Sequence, residues 1–102
     1  MLTSKQRAQL RSMANNLAAI FQVGKSGVNE QLIRQVDETL EKRELIKLTT
    51  LENCSESSKE AAEKIASETG SEVVQVIGRK FVLYRESKEN KQIVLVKKSA
   101  GR

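Results

Sequence analysis

The sequence predicts an α/β fold: a single-domain sandwich in which one four-stranded mixed sheet carries three helices, in the order α-β-α-β-α-β-β. Three observations predict it. Apolar residues recur at helical spacing in three stretches. Short runs of β-formers alternate with those stretches, the pattern of a sheet covered by helices. The last two runs are joined by Gly78-Arg79 alone, a two-residue turn that makes the final strands antiparallel and the sheet mixed.

Each element has its own local reason. Thr3 and Gln6 stand at capping-box spacing. Leu10, Met13, Ala14 and Leu17 share one helical face, which predicts a helix over roughly 4–16 with Arg7 and Arg11 on its flank. Residues 19–23 read as a short buried strand. Asn29 is a good N-cap, and Leu32, Ile33, Val36 and Leu40 mark the buried face of a second helix. Glu38 and Lys42 form an i,i+4 pair on its outer face, and Lys42-Arg43 suit its negative end. Residues 45–51, rich in β-formers, predict a second strand. The polar stretch from Glu52 to Ser58 holds the cap of a third helix, which buries Ala61, Ala62, Ile65 and Ala66 and stops at Gly70. Residues 73–77 and 80–85 form the hairpin. Residues 1–86 are thus expected as one domain, and 87–102 as a charged tail with a short edge strand at 93–96.

Composition narrows the function. The chain has 102 residues, a formal net charge of +5 and a pI near 9.6, which suits a polyanionic partner. Residues 1–34 carry a net +4, residues 35–78 a net −5 and residues 79–102 a net +6. If the basic ends meet in space they make one positive face; otherwise the three parts are ordinary solvated surfaces. There is no histidine, and Cys54 is the only cysteine, so the usual general base, a thiolate metal site and an internal disulfide are all missing. No catalytic residue, cofactor, metal or small-molecule substrate is expected. The lack of a signal-peptide pattern and of any membrane-length apolar run leads to the expectation of a cytoplasmic protein away from membranes. The three aromatic residues, Phe21, Phe81 and Tyr84, are too few for a base-stacking platform and read as core. Any RNA contact should therefore be mostly to the backbone.

The candidate site is Gly24-Lys25-Ser26-Gly27, between a strand and a helix. Glycines allow a sharp turn and close approach of a ligand. The following helix directs its positive end back at the loop, and Lys25 adds a charge that can contact phosphate. Ser26 either donates to phosphate or caps a turn. Gly-Lys-Ser also ends a nucleotide-binding P-loop, G-x-x-x-x-G-K-[ST]. Here the first glycine position is Ala19, the residues between read as strand, and the only aspartate, Asp37, lies on a helix. The nucleotidase reading is therefore set aside. Lys5, Arg7 and Arg11 extend the positive surface from the first helix, and Arg85 and Lys88 extend it on the sheet side. Glu30 opposes the reading by placing a carboxylate beside the loop.

Together these stretches resemble a known family. Leu2-Thr3-Ser4-Lys5-Gln6-Arg7, Val23-Gly24-Lys25-Ser26-Gly27-Val28, Glu44-Leu45-Ile46-Lys47, Glu68-Thr69-Gly70, Val74-Gln75-Val76-Ile77-Gly78-Arg79 and Val82-Leu83-Tyr84-Arg85 run in order across residues 2–85. The chain resembles the CRM domain (chloroplast RNA splicing and ribosome maturation) in its stand-alone bacterial form, the YhbY family. The resemblance implies a fold like the C-terminal domain of translation initiation factor three. It implies binding of ribosomal RNA and of a precursor of the large ribosomal subunit, in a role in that subunit's assembly. The family's G-x-x-G falls on Gly24 and Gly27, and its arginine after the hairpin tyrosine falls on Arg85. Where that family often has a proline next, this chain has Glu86. The rival expectation is a protein-interaction module that uses the acidic middle or residues 93–96 as an added strand.

Overall fold

The computed structural model describes residues 2–96, which form three layers. Helix α1 (Ser4–Ala14) covers one face of a four-stranded sheet, and helices α2 (Glu30–Arg43) and α3 (Ser58–Thr69) cover the other. The strands β1 (Ala19–Val23), β2 (Leu45–Thr50), β3 (Glu72–Ile77) and β4 (Lys80–Tyr84) lie in the order β1-β2-β4-β3. β1 and β2 are parallel, while β4 is antiparallel to both of its neighbours. The expected α/β sandwich with a mixed sheet is present.

Strand alternation builds two cores from one sheet. Successive side chains point to opposite faces. Leu45, Val82 and Tyr84 join Leu10 and Ala14 beneath α1. Ile46, Leu48, Phe81 and Leu83 join Val36, Leu40, Ala62 and Ile65 beneath α2 and α3. Phe81 is fully buried in the larger core, where truncation to alanine costs about 3–5 kcal/mol. The caps are those that the local sequence demands. Thr3 and Gln6 bond reciprocally, Asn29 Oδ1 accepts from the Leu32 N–H, and Gly70 ends α3 in the left-handed conformation.

Two expectations are corrected. Helix α1 ends at Ala14, because Asn15-Asn16 disfavour a helix interior and turn instead. Leu17 then packs from that turn, and Met13 is exposed. Residues 93–96 form no edge strand. Side chains take several of the backbone polar groups of this segment instead. Gln6 Nε2 donates to the Val96 carbonyl (3.0 Å), Gln9 Nε2 to the Val94 carbonyl (2.8 Å), and the Val96 N–H to Gln9 Oε1 (2.7 Å). Ile93 is buried in the α1-side core, so the segment belongs to the packed body. This brings parts of the two basic thirds of the chain side by side.

The clasp that holds this segment is acidic. Glu44 follows α2 with φ +68° and is fully buried. Its carboxylate accepts the N–H groups of Ser87 (2.7 Å), Gln92 (2.8 Å) and Ile93 (2.7 Å). Burial pushes its carboxyl up, but these hydrogen bonds outweigh burial and hold it below the ordinary value. Glu41 accepts the Ser87 hydroxyl and the N–H groups of Lys88 and Glu89, and these bonds likewise hold its carboxyl down.

Candidate nucleic-acid interface

The glycine loop leaves β1 at the point where parallel pairing with β2 ends. The Val23 carbonyl accepts the Leu51 N–H (2.9 Å), so the loop starts beside the β2–α3 connection. The Gly27 N–H then bonds back to the Gly24 carbonyl (2.9 Å), which closes a tight turn. Lys25 and Ser26 occupy its two corners. Both are exposed, and neither side chain bonds a described residue.

The two glycines are not equivalent. Gly27 has φ +72°, and a Cβ there would stand 2.8 Å from Glu56 Oε1. Gly24 has no positive φ, and its nearest foreign atom would be Leu51 Cδ1 at an ordinary 3.7 Å. Only Gly27 is required by the backbone.

Glu56 is the residue that sequence reasoning missed. From the β2–α3 connection it accepts the Val28 N–H (2.9 Å) just behind the loop, and its other oxygen accepts from Lys64 on α3. The Lys64 ammonium first, and the Val28 N–H second, hold its carboxyl below the ordinary value. The carboxylate therefore pins the loop while pairing with Lys64, and Lys25 makes no ion pair among the described residues. Glu56 had no local signal, since its partners lie 28 residues before it and 8 after. Glu44 did have one: an acid at the negative end of a helix needs other partners.

The other basic residues divide into two groups. Lys5 and Arg11 are exposed on α1, and neither side chain bonds a described residue. The Arg7 guanidinium instead donates to the carbonyls of Val73 and Val74 (3.3 Å to the latter). It thereby ties α1 to edge strand β3 where the register slips between Val73 and Gln75. Arg85 is equally committed: it donates to Asp37 Oδ1 (2.5 Å), the Asp37 carbonyl (2.9 Å) and the Thr69 carbonyl (2.7 Å), tying α2 to the end of α3. Lys88 is exposed, in the turn that wraps the Glu41 carboxylate, away from the loop in the fold. The structure thus brings Lys25 and Ser26 together and keeps Lys5 and Arg11 available on α1. Arg7 and Arg85 are spent on the scaffold. Asn29 and Glu30 also answer part of the α2 N-terminus from within the protein.

Known proteins are similar along nearly the whole chain. A model of the CRS1 / YhbY (CRM) domain matches residues 2–85. The "Probable RNA-binding protein YqeI" of Bacillus subtilis (strain 168) is 55% identical over 95 residues, which cover 93% of this chain and 99% of that protein. An "RNA-binding protein" of Haemophilus influenzae is 32% identical over 90 residues, 88% of this chain and 91% of that one. The solution structure of SAV1595 from Staphylococcus aureus, put forward as an RNA-binding protein, superposes with a TM-score of 0.79 at 56% identity, covering 94% of this chain and all of that one. On the family match and these identities, the chain belongs to the CRS1/YhbY (CRM) domain family.

Proposed function

We propose that this protein is a non-enzymatic, cytoplasmic RNA-binding protein that grips folded ribosomal RNA by its backbone and assists assembly of the large ribosomal subunit. One observation carries the reading: a pinned turn that holds Lys25 and Ser26 out of the fold, their side chains with no partner among the described residues. The names of the relatives support RNA as the ligand. The ribosomal part rests on the family resemblance. Phosphate contacts of this kind position an RNA without reading its bases, so selectivity comes from RNA shape.

The test is sedimentation of a lysate on sucrose gradients at low and high salt. Co-migration with large-subunit precursors at low salt, lost at high salt, is the expected result. A position at the top of the gradient in both conditions removes the ribosomal reading. With purified protein, Lys25→Glu should weaken RNA binding and lower the slope of log affinity against log salt by about one. Unchanged affinity and slope would show that the loop is not the grip. The rival interaction module finds part of its added strand already engaged, because the Val94 carbonyl and both backbone polar groups of Val96 are bonded by Gln6 and Gln9.

A further inference from the structure

We infer that the uncovered half of the α1-side sheet face is a second RNA contact surface, fitted to double-helical RNA rather than to a single strand; this rests on the RNA-binding reading above. Helix α1, with Leu2, Leu17, Ile93 and Leu95, packs on that face around Leu45, Val74, Val82 and Tyr84. Beyond it, the register sets Gln22 of β1 beside Thr49 of β2, Thr49 beside Lys80 of β4, and Lys80 beside Ile77 of β3. Paired residues share a face, so these four form one row across the whole sheet. The neighbouring row is Ala19, Lys47, Val82 and Gln75. Val82 packs under α1, which assigns both rows to the α1 side. Gln22, Lys80 and Ile77 are exposed, and Lys47, Thr49 and Gln75 are half-buried. Neither row contains an aspartate or glutamate. β1 runs from Gln22 through Val23 directly into Gly24, so the row abuts the turn that carries Lys25.

The chemistry of the strip selects its ligand. It offers two ammonium groups, two carboxamides that both donate and accept, the Thr49 hydroxyl, which donates to the Arg79 carbonyl at 3.4 Å and still accepts, and at one edge Ile77, 65% exposed. It offers no aromatic ring: Phe81 and Tyr84 are buried, and Phe21 packs towards α2 and α3. Proteins hold single-stranded RNA largely by stacking bases on aromatic side chains, and this surface has nothing to stack on. An RNA double helix presents instead a wide, shallow minor groove of 2′-hydroxyls bordered by phosphates. Gln22, Thr49 and Gln75 match the hydroxyls. Lys47, Lys80 and, at the end of the strip, Lys25 match the phosphates. A DNA duplex lacks the hydroxyls and should bind less well.

The experiment compares three probes by fluorescence anisotropy at low salt: an RNA duplex of about 16 base pairs, one of its strands chosen to be unstructured, and the DNA duplex of the same sequence. The RNA duplex should bind at least about tenfold more tightly than either of the others. Lys80→Glu should weaken that binding about tenfold. The double variant Gln22→Ala/Thr49→Ala should bring RNA and DNA duplex affinities together while leaving DNA affinity unchanged. Far-UV circular dichroism verifies that these surface variants remain folded. A single strand that binds as tightly as the duplex overturns the inference. So does Lys80→Glu without effect where Lys25→Glu weakens binding, and that result leaves the loop reading intact. Failure to bind any RNA overturns the parent reading itself.

Discussion

Replacing Gly27 with alanine should damage the glycine loop by two separable routes. An L-residue at φ +72° costs about 1–2 kcal/mol in backbone strain. The new Cβ would stand 2.8 Å from Glu56 Oε1, so the carboxylate must shift. It then gives up its bond from the Val28 N–H, a charge-assisted bond worth about 1.5–3 kcal/mol. The combined loss is about 2.5–5 kcal/mol, in a domain whose total stability is about 5–15 kcal/mol. Urea denaturation followed by far-UV circular dichroism measures it. The informative design is the cycle of Gly27→Ala, Glu56→Ala and the double variant. With Glu56 already truncated there is nothing to displace, and Gly27→Ala should cost only the strain of about 1–2 kcal/mol. Additivity of the two changes within about 0.5 kcal/mol would refute the account of Glu56 as the pin behind the loop. Gly24→Ala is the control: its Cβ meets only Leu51 Cδ1 at 3.7 Å, and stability should move by less than about 0.5 kcal/mol.

Two arginines one turn apart on α1 should behave oppositely. Arg7→Ala frees carbonyls at the β3 edge and should destabilise by about 1.5–3 kcal/mol in urea titrations. Arg11→Ala should leave stability within about 0.5 kcal/mol and instead lower the salt slope of RNA binding by about one. The acidic clasp predicts pH dependence. The folded-state values of Glu41, Glu44 and Glu56 all lie below the ordinary 4.5, so their contribution is fully present above that value and is lost as pH falls through the folded values. Thermal unfolding scans between about pH 7 and pH 3 should show this decline, and Glu44→Gln should flatten it. If the wild type holds constant stability across that range, the clasp does not act through ionised carboxylates.

The elements were legible because their causes are local. The Thr3–Gln6 box, the Asn29 cap and the Gly70 stop each join residues within a turn of one another. Periodicity placed Leu32, Val36 and Leu40 on one face, and Gly78-Arg79 between two apolar runs made the hairpin. The same local reasoning missed what depended on distant partners. An exposed arginine and an arginine spent on a sheet edge look identical in sequence, and Arg7 meets its carbonyls 66 residues away. The apolar run at 93–96 has the composition of a strand, but glutamines on α1 bond three of its backbone groups instead.

By itself, then, the sequence determined three helices, four strands, their order, the family and the position of the glycine loop, because caps, turns and hydrophobic periods are short-range effects. The tertiary structure alone decided which charges remain free, that Glu56 pins the loop and Glu44 the tail, and that Gln22, Thr49, Lys80 and Ile77 line up across the sheet. Those outcomes depend on strand register and on contacts between segments far apart in the chain, and residue spacing along the sequence carries no record of either.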